Sequence, residues 1–583
     1  MNDRWDLSYL YQSFEDEAFR KDLASLPEDI EKARAFLEDA SVPDAEKLEK
    51  IVAENDRLSA KVDALANFVQ CTLAVDATNA AACAADDQLM NAFTALEMVS
   101  SGMTRFVAGL DNLEELIAAS PALQEVAFAL REMKQDAAHL LPPAAEPWML
   151  EMQLSGGNAF SQLRDKLDST LSVDFRGEPL PLAAVRGKAY DPDPAVRKDA
   201  YDAELAAYPK MDLPMSYCLN SIKMEARTLA KAKGFDSVLD MTLHSSRMDR
   251  ATLDAMWSAI RKYLPDFRRY LKAKAKLLGH ENGLPFYDLF APVGESTKTY
   301  SVEEARAILI REMGKFTPDM ASFMNNAFEQ RWIDLYPRDG KTGGAFCAGA
   351  HFADRSLIMT NFQGSFSDVS TLAHELGHAW HNRCLAGLPY MMIDTPMPLA
   401  ETASIFNETM LSWQVLSSCG EAERLYLLEN GLMEATQTVV DIYSRFLFES
   451  EVIETRADHT LSVDELKDAM VRAQKASYGD GLDENVLHPY MWACKSHYYS
   501  SGYNFYNFPY AFGLLFGKGV FARWLEKGDA FVQDYCKLLR SCGSAPVAEV
   551  AASVGIDVRS EDFWCSSLEV LRKDIDEFCR LAE

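Results

Sequence analysis

The sequence lacks the features that mark membrane proteins and secreted, disulfide-bonded proteins. Its first residues, Met1–Leu7, contain no basic segment followed by an apolar one, and no stretch offers about eighteen uninterrupted apolar residues. Its eleven cysteines are scattered and form no CxxC pair. An odd number of cysteines without an export signal indicates free thiols in a reducing compartment. We therefore expect a cytoplasmic protein with no membrane partner.

Basic residues are scarce relative to acidic ones. The chain has 58 lysines and arginines against 88 aspartates and glutamates, which gives a net charge of −30 over 583 residues. Phosphate backbones and anionic lipid surfaces would repel such a chain, so we expect no nucleic-acid partner. Acidity mainly confers solubility, and it gives at most a weak preference for cationic or neutral substrates.

Helical periodicity dominates what is present. Apolar residues from Leu48 to Val69 recur at helical spacing, which predicts a long helix in an antiparallel bundle. Asp193 followed by Pro194 predicts a helix start, with the aspartate as cap. Residues 343–347 and 356–362 look like two short strands, and a helix is expected from about Asp368. The predicted fold class is mainly α with a small sheet, and the length predicts two or three lobes.

A metal-binding pattern lies on the helix expected after Asp368. His374-Glu375-Leu376-Gly377-His378 places two imidazoles four residues apart, so both can reach one ion. Glu375 lies one step round the helix, where its carboxylate can accept a proton from a water beside the ion. Zinc chemistry needs this arrangement of neutral nitrogens, an open position and a base. The alternative is a buried helix whose histidines are satisfied by hydrogen bonds.

A catalytic zinc site requires a third protein ligand. The metzincin continuation is excluded, because His381 stands where that motif has glycine and Cys384 where it has histidine. We expect His381 to be a core residue and assign Cys347 and Cys384 no role. Glu401 and Glu408 lie seven residues apart among apolar and small residues, hence on one helical face. One of them can bind the ion while the other orients a ligand histidine.

Several further segments resemble the thimet-type family of zinc oligopeptidases, and within it the bacterial oligoendopeptidase F group. The resemblance covers most of the chain and rests on the zinc motif, Glu401 and the segments Trp5–Ser8, Gly340–Cys347, Thr360–Phe362, Asp368–Ala373 and Phe505–Tyr510. It implies a two-lobed helical ellipsoid with a deep substrate channel and the small sheet beside the zinc helix. We place an N-terminal helical lobe at residues 1–190 and the catalytic domain at residues 191–583.

The resemblance also implies roles for individual residues. His374, His378 and Glu401 would hold one Zn²⁺ ion, with Glu375 as general base. Glu408 matches the second glutamate of the family's ligand helix, which supports a ligand histidine.

Residues 497–510 match the family segment that faces the scissile carbonyl. Neutral donors there stabilise the negative charge that develops on the carbonyl oxygen. His497 and Tyr510 match best and Tyr503 is next, while Tyr506 stays open. Residues 357–361 resemble the family's edge strand, against which an extended peptide lies, and Ala345 and Phe346 would be close to the substrate.

Three functions are compatible with these residues. The first is a zinc endopeptidase that hydrolyses short peptides. The second is a carboxypeptidase or dipeptidyl carboxypeptidase on the same scaffold, which requires a cationic group for the terminal carboxylate. The third is a peptide-binding protein with a degenerate site, and the complete set of ligands and base argues against it.

Overall fold

The computed structural model describes residues 3–142, 144–294, 298–500 and 502–583. The fold is 72% helical and 4% strand, which confirms the predicted mainly α class with a small sheet. Within the described part of the chain, none of the helices combines the length and apolar character that a bilayer span requires.

Among the described residues, eight helices precede the first strand: α1 (Glu17–Glu38), α2 (Asp44–Val75), α3 (Ala80–Ala108), α4 (Leu113–Ala119), α5 (Pro121–Glu125), α6 (Ala127–Asp136), α7 (Glu146–Ser155) and α8 (Gly157–Thr170). Helix α2 contains the whole periodic segment from Leu48 to Val69, so that prediction is confirmed. Its buried side chains include Leu48, Leu58 and Leu65, which pack toward α1 and α3.

A two-stranded hairpin and, in the part that the structure describes, seven helices follow: β1 (Ser172–Phe175), β2 (Glu178–Pro181), α9 (Leu182–Gly187), α10 (Pro194–Ala207), α11 (Asp212–Ala232), α12 (Val238–Ser245), α13 (Arg250–Leu277), α14 (Val302–Met313) and α15 (Pro318–Glu329). The predicted cap of α10 is confirmed, because the Asp193 carboxylate accepts the backbone N–H of Ala195 at 2.9 Å.

The second sheet consists of β3 (Ile333–Asp334), β4 (Phe346–Ala350) and β5 (Arg355–Met359). The two strands predicted from the sequence are β4 and β5 with shifted bounds. The first begins only at Phe346, since Gly344 adopts a left-handed φ of 83° that a strand does not allow. Strand β3 is two residues long and leaves no periodic pattern, so the sequence did not predict it.

The strand expected to form a free edge is the central one. The order is β3–β5–β4, with β5 parallel to β3 and antiparallel to β4. The prediction that residues 357–361 form an edge strand is therefore wrong: both hydrogen-bonding sides of β5 are occupied, and the N–H of Thr360 still donates to Asp334 beyond the strand. Strands β3 and β4 form the two edges of this sheet.

Eleven helices follow in the described residues after β5: α16 (Phe366–Leu385), α17 (Met397–Ala400), α18 (Thr402–Ser418), α19 (Glu421–Thr436), α20 (Ile442–Thr455), α21 (Val463–Tyr478), α22 (Met491–Cys494), α23 (Phe508–Lys527), α24 (Phe531–Arg540), α25 (Val547–Ala552) and α26 (Glu561–Ala582). A π-helical segment, Gln437–Asp441, joins α19 to α20. Short 3-10 turns lie at Ala137–His139, Lys188–Tyr190, Tyr208–Lys210, Phe286–Asp288, His351–Ala353, Tyr390–Met392, Gly479–Gly481, Ser496–Tyr499 and Gly528–Ala530.

The hydrophobic interior has two large cores. One is formed by residues between Tyr11 and Leu130 together with Met392, and the other extends from Leu171 to Phe578. A small third cluster of Trp5, Cys71, Leu357 and Met359 connects the amino-terminal residues to the sheet. The lobe boundary between residues 190 and 191 stays a prediction.

Candidate active site

The proposed zinc helix is α16, and a capping box defines its start. The Ser365 hydroxyl accepts the N–H of Asp368 at 3.1 Å, and the Asp368 carboxylate accepts the N–H of Ser365 at 2.8 Å. This cap stops the helix from fraying one to two turns before the motif. His374 and His378 project from the same face, with ring centroids 4.8 Å apart and Nε2 atoms 3.1 Å apart.

Helix α18 crosses α16 at very short range at Gly377. A Cβ on this glycine would lie 2.6 Å from both the carbonyl oxygen of Ala403 and the Cα of Ser404. Any side chain here would therefore separate the two helices. The Asn407 amide strengthens the contact by donating to the carbonyl of Ala373 at 3.1 Å. The glycine within the motif is thus explained by packing rather than by catalysis.

Glu401 completes a three-donor group. Its Oε2 lies 3.4 Å from His374 Nε2 and 3.3 Å from His378 Nε2. Together with the 3.1 Å between the imidazole nitrogens, these distances form a nearly equilateral triangle. Ligands about 2.0–2.1 Å from a tetrahedral zinc ion are about 3.3 Å from one another. The chemistry and spacing of the donors therefore fit zinc, and these three side chains form a metal-capable group within the described residues.

Glu401 occupies the junction between α17 and α18 rather than the helix interior, and Ser404 positions it. The Ser404 hydroxyl donates to Oε2 of Glu401 at 2.7 Å. Burial by itself raises the pKa of Glu401, but hydrogen bonding to His378, the charges of both histidines and the Ser404 contact outweigh it and lower the pKa to about 2. Glu401 is therefore ionised at neutral pH, as a metal ligand must be. The sequence analysis missed Ser404, since nothing in the motif indicates an orienting hydroxyl.

Glu408 supports His374 from the side opposite Glu401. Nδ1 of His374 donates to Glu408 Oε1 at 2.7 Å, which leaves Nε2 directed toward the metal position. Burial disfavours the charged imidazole, but the Glu408 hydrogen bond and the charges of Glu408, Glu401 and Glu375 raise the pKa of His374 to about 9. Of the two glutamates left open by the helical spacing, Glu401 is the one placed at the donor group.

Glu375 is 5% exposed and belongs to the same charged cluster. Burial raises its pKa, and the nearby histidines His374 and His378 oppose this only in part. A carboxylate with a raised pKa is suited to accept a proton and then release it. Cys347 of β4 is its neighbour, and burial raises the pKa of that thiol, so it stays protonated and neutral.

His381 is a satisfied core residue, as expected. Its Nε2 donates to the carbonyl of Leu539 at 3.1 Å and the side chain is buried. Burial, with a smaller effect of His378, lowers the pKa of His381 to about 4. The ring is therefore neutral and takes no part in the donor group.

Three tyrosines form a run of rings leading to Glu401. The Tyr510 hydroxyl donates to the Tyr506 hydroxyl at 3.0 Å, and the Tyr506 ring lies 5.6 Å from Tyr510 and 5.8 Å from Tyr503. Burial, the contact with Tyr506 and the Glu401 charge raise the pKa of Tyr510, which keeps its hydroxyl protonated. The Tyr510 hydroxyl is therefore close enough to Glu401 for the carboxylate charge to act on it. Tyr503 is 64% exposed.

His497 occupies a separate, cation-rich environment. Burial and the charges of Arg445, Lys495 and Lys223 lower its pKa to about 2, so the ring is neutral. Its Nε2 is buried without a hydrogen-bond partner in the described part of the chain. Among the described residues no hydrogen bond or ring contact connects His497 to the donor group. It is available as an N–H donor, but the structure does not bring it to the donor group.

Phe346 and Ala345 lie at the start of β4, the edge strand. The Phe346 ring contacts Trp5 at a centroid distance of 6.2 Å and packs on the third hydrophobic cluster. The adjacent Cys347 faces Glu375. Since successive side chains of a strand alternate, the Phe346 side chain points away from the zinc helix, and only its backbone is available at the edge.

Behind Glu408 lies a set of ionisable side chains that the sequence analysis missed. Burial and the charge of Glu408 raise the pKa of Glu434 on α19 to about 7. Burial lowers the pKa of Lys518 on α23, whose neighbours include Asp574 and Glu408. These residues lie on three different helices, so only the tertiary fold brings them together and no local motif could have indicated them.

Comparisons with known proteins show the family of this chain. The profile described as Peptidase family M3 matches residues 188–570, and the one described as Oligopeptidase F matches residues 109–172. The first match covers more than half of the chain, including the whole donor group. The chain belongs to Peptidase family M3. It is therefore a peptidase, which the sequence resemblance had predicted.

Individual relatives of the family are distant in sequence and close in fold. Oligopeptidase PepF of Bacillus subtilis is 24% identical over 99% of this chain and 86% of its own length. An oligoendopeptidase F homolog of Lactococcus lactis is 27% identical over 67% of this chain and 64% of its own length. The crystal structure of a Chlamydophila abortus protein aligns with a TM-score of 0.85 at 22% identity, over 99% of this chain and 98% of that one. Oligoendopeptidase-F of Enterococcus faecium aligns with a TM-score of 0.71 at 18% identity, over 97% of this chain and 99% of that one.

Proposed function

We propose that this family M3 peptidase is a zinc-dependent endopeptidase of short peptides. The observation that carries the proposal is the triangle of donor atoms from His374, His378 and Glu401, with sides of 3.1–3.4 Å and the buried Glu375 beside it. One zinc ion fits this group, and hydrogen bonds to Glu408 and Ser404 hold two of the three ligands in orientation.

The proposed mechanism assigns proton transfer to Glu375. Zinc, when bound, supplies Lewis-acid chemistry that polarises a peptide carbonyl and makes a water molecule acidic near neutral pH. The Glu375 carboxylate accepts the proton of that water and later donates it to the nitrogen of the leaving amine. The raised pKa of Glu375 supports this role, because the protonated form must persist until the amine leaves.

Negative charge that develops on the carbonyl oxygen requires neutral donors. Tyr510 is the first candidate, since its hydroxyl stays protonated and lies within the electrostatic reach of Glu401. Tyr506 and Tyr503 continue the same run of rings. His497 is neutral and has an unpartnered Nε2, which supports a donor role once the substrate is bound. Catalytic hydrogen bonds often tighten only in the substrate complex.

We further propose that the peptide binds in an extended conformation along the edge of β4, with the backbone of Ala345 and Phe346 as its contacts. Main-chain pairing would make recognition tolerant of sequence. A location in the cytoplasm is supported by the eleven cysteines, all of which are free thiols. We also propose that the substrate reaches the site through a deep channel, which admits short peptides and excludes folded proteins.

Two measurements test this function. Removal of metal with a chelator should abolish hydrolysis, and addition of about one equivalent of Zn²⁺ should restore it; activity that persists without metal would refute the zinc requirement. Fragments of a peptide blocked at both ends, identified by mass spectrometry, distinguish the alternatives. An endopeptidase cuts it internally, whereas a carboxypeptidase or dipeptidyl carboxypeptidase leaves an amidated carboxyl terminus uncut. Binding without hydrolysis in zinc-loaded protein would instead indicate a peptide-binding protein.

A further inference from the structure

A cavity of about 310 Å³ lies outside the donor group and is lined largely by aromatic rings. The rings belong to Tyr190, Tyr201, Phe286, Tyr287 and Phe290, which come from the segment after α9, from α10 and from the turn at Phe286–Asp288. Its volume is at the lower end of the range of small-molecule sites, about 300–1,000 Å³. The cavity therefore suits one bulky apolar side chain or a small aromatic molecule.

Within the described residues, the charges around this cavity leave one cation without a counter-ion. Three basic side chains line it. Arg186 pairs with Glu204 at 3.1 Å, and Arg197 pairs with the fully buried Asp288 at 2.6 Å. The third is Lys495, whose ammonium group makes no hydrogen bond or ion pair with the described residues.

The position of Lys495 lowers the stability of the folded protein. Its side chain is only partly accessible, and burial, together with the charge of Arg445, lowers its pKa. Asp441, whose charge acts on Lys495, is already engaged by Arg445 at 2.5 Å and by the Tyr478 hydroxyl at 3.1 Å. An unpaired, partly buried cation destabilises a fold, so its placement in a cavity indicates a functional site.

A second polar group in the cavity wall also lacks a partner. His488 is 2% exposed, and its Nδ1 makes no hydrogen bond to the described residues. Its Nε2 lies 3.3 Å from Glu204. The cavity thus combines apolar rings with a free ammonium group and a free imidazole nitrogen. A ligand that pairs with the rings and with the ammonium group has an apolar or aromatic part and an anionic part.

Charged side chains couple the cavity wall electrostatically to the surroundings of Glu408 and His497. Glu434, whose pKa responds to Glu408 and His374, also acts on Tyr190 in the cavity wall. Gln437, one helical turn after Glu434, lines the cavity itself. Lys495 precedes His497 by two residues and is among the charges that hold its pKa down. On this basis one end of a bound peptide is a candidate ligand for the cavity.

We propose that this cavity binds a carboxylate carried next to an aromatic or apolar side chain, with the Lys495 ammonium group pairing with the carboxylate. Two sources have this chemistry: the carboxyl-terminal residue of a short peptide substrate and a free amino-acid-like acid. The first deepens the proposed peptidase function and rests on it. It would give the enzyme a preference for short peptides with a free carboxyl terminus.

The test compares the binding of free acids with that of their amides. Calorimetry on the full-length, zinc-loaded Glu375→Gln protein measures dissociation constants for a short peptide ending in phenylalanine, for its carboxyl-terminal amide, and for N-acetylphenylalanine and its amide. A charge-assisted contact should favour the acid over the amide by about tenfold or more. In Lys495→Met the preference should disappear. Lys166→Met, which removes an exposed lysine of α8, is the matched control and should keep the preference.

Each outcome decides the proposal. If Lys495 is needed for the acid preference of the peptides alone, the cavity binds the carboxyl terminus of the substrate. If it is also needed for the acid preference of N-acetylphenylalanine, the cavity binds small acids as well. Equal binding of acid and amide by the parent protein, or an unchanged preference in Lys495→Met, would overturn it. The thermal midpoint of Lys495→Met should not fall, since an unpaired charge is removed; Lys495→Gln is the second variant if it does. Cleavage of amidated peptides by the enzyme with Glu375 intact tests the proposed function separately.

Discussion

Because helices α16 and α18 are in close contact at Gly377, we predict that a larger residue at this position weakens zinc binding. In Gly377→Ala the new Cβ would lie 2.6 Å from the backbone of Ala403 and Ser404, whereas ordinary contacts begin at 3.4 Å. Helices α16 and α18 must therefore separate by about 0.8 Å, the difference between those two distances. Neither obstacle is the flexible end of a side chain, so local rearrangement cannot absorb the clash.

The separation acts directly on the donor triangle, because its histidines are on α16 and Glu401 is at the start of α18. The distances of 3.3 and 3.4 Å from Glu401 to the imidazoles would approach 4 Å, against the roughly 3.3 Å that a tetrahedral zinc ion requires. We expect zinc affinity to fall by about 10- to 100-fold, similar to the loss of a supporting contact. Overpacking should also cost about 1–3 kcal/mol of stability.

Competition titration with a fluorescent zinc chelator measures the affinity, and differential scanning calorimetry of the metal-free protein measures the stability. The control is Gly431→Ala in α19, because a Cβ at that glycine meets open space. It should leave zinc affinity unchanged and stabilise the protein by up to about 1 kcal/mol through helix propensity. Zinc affinity in Gly377→Ala equal to that of the wild type would refute the argument that helix spacing sets the donor geometry.

Three further predictions concern the groups around the metal position. Glu408→Gln should weaken zinc binding by about 10- to 100-fold, because His374 loses its charged acceptor; the same chelator titration measures this, and wild-type affinity would contradict it. The pKa of His374 is raised to about 9 in the metal-free protein, so at pH 7 zinc uptake should release about one proton, and affinity should rise about tenfold per pH unit up to about pH 9. Without metal, the stabilisation from this raised pKa is fully present below pH 6.5 and is lost as the pH rises through about 9. Calorimetry of zinc binding in buffers of different ionisation enthalpy measures the proton release, and unfolding at different pH values measures the change in stability. Tyr510→Phe should lower kcat by about 10²- to 10³-fold with zinc content unchanged, whereas Tyr506→Phe should have a smaller effect; equal effects would reassign the oxyanion donor.

The local parts of the site could be predicted from the sequence. The spacing of His374 and His378 requires only that the segment is helical, and the Asp193 cap and the long helix α2 follow from equally local rules. The class of the fold follows from the same periodicity. The sequence left open which of Glu401 and Glu408 lies beside the two Nε2 atoms, and the path of α18 across α16 places Glu401 there.

The features that could not be predicted from the sequence depend on contacts between distant residues, which leave no local pattern. The edge strand was assigned incorrectly because β3, which covers β5, is only two residues long. The orienting role of Ser404 depends on a side-chain rotamer, and the neighbours of Glu434 come from separate helices. The Lys495 cavity likewise combines residues that are about 300 positions apart in the chain. Such sites require the tertiary structure before their chemistry is apparent.

The most direct test of the proposed mechanism is to measure both zinc content and peptide turnover in the Glu375→Gln variant. This substitution keeps the size of the side chain and leaves His374, His378 and Glu401 untouched. We predict about one zinc ion per chain, as in the wild type, with turnover reduced by about 10²- to 10⁴-fold because no base accepts the proton of water. Full turnover in zinc-loaded Glu375→Gln protein would contradict the account.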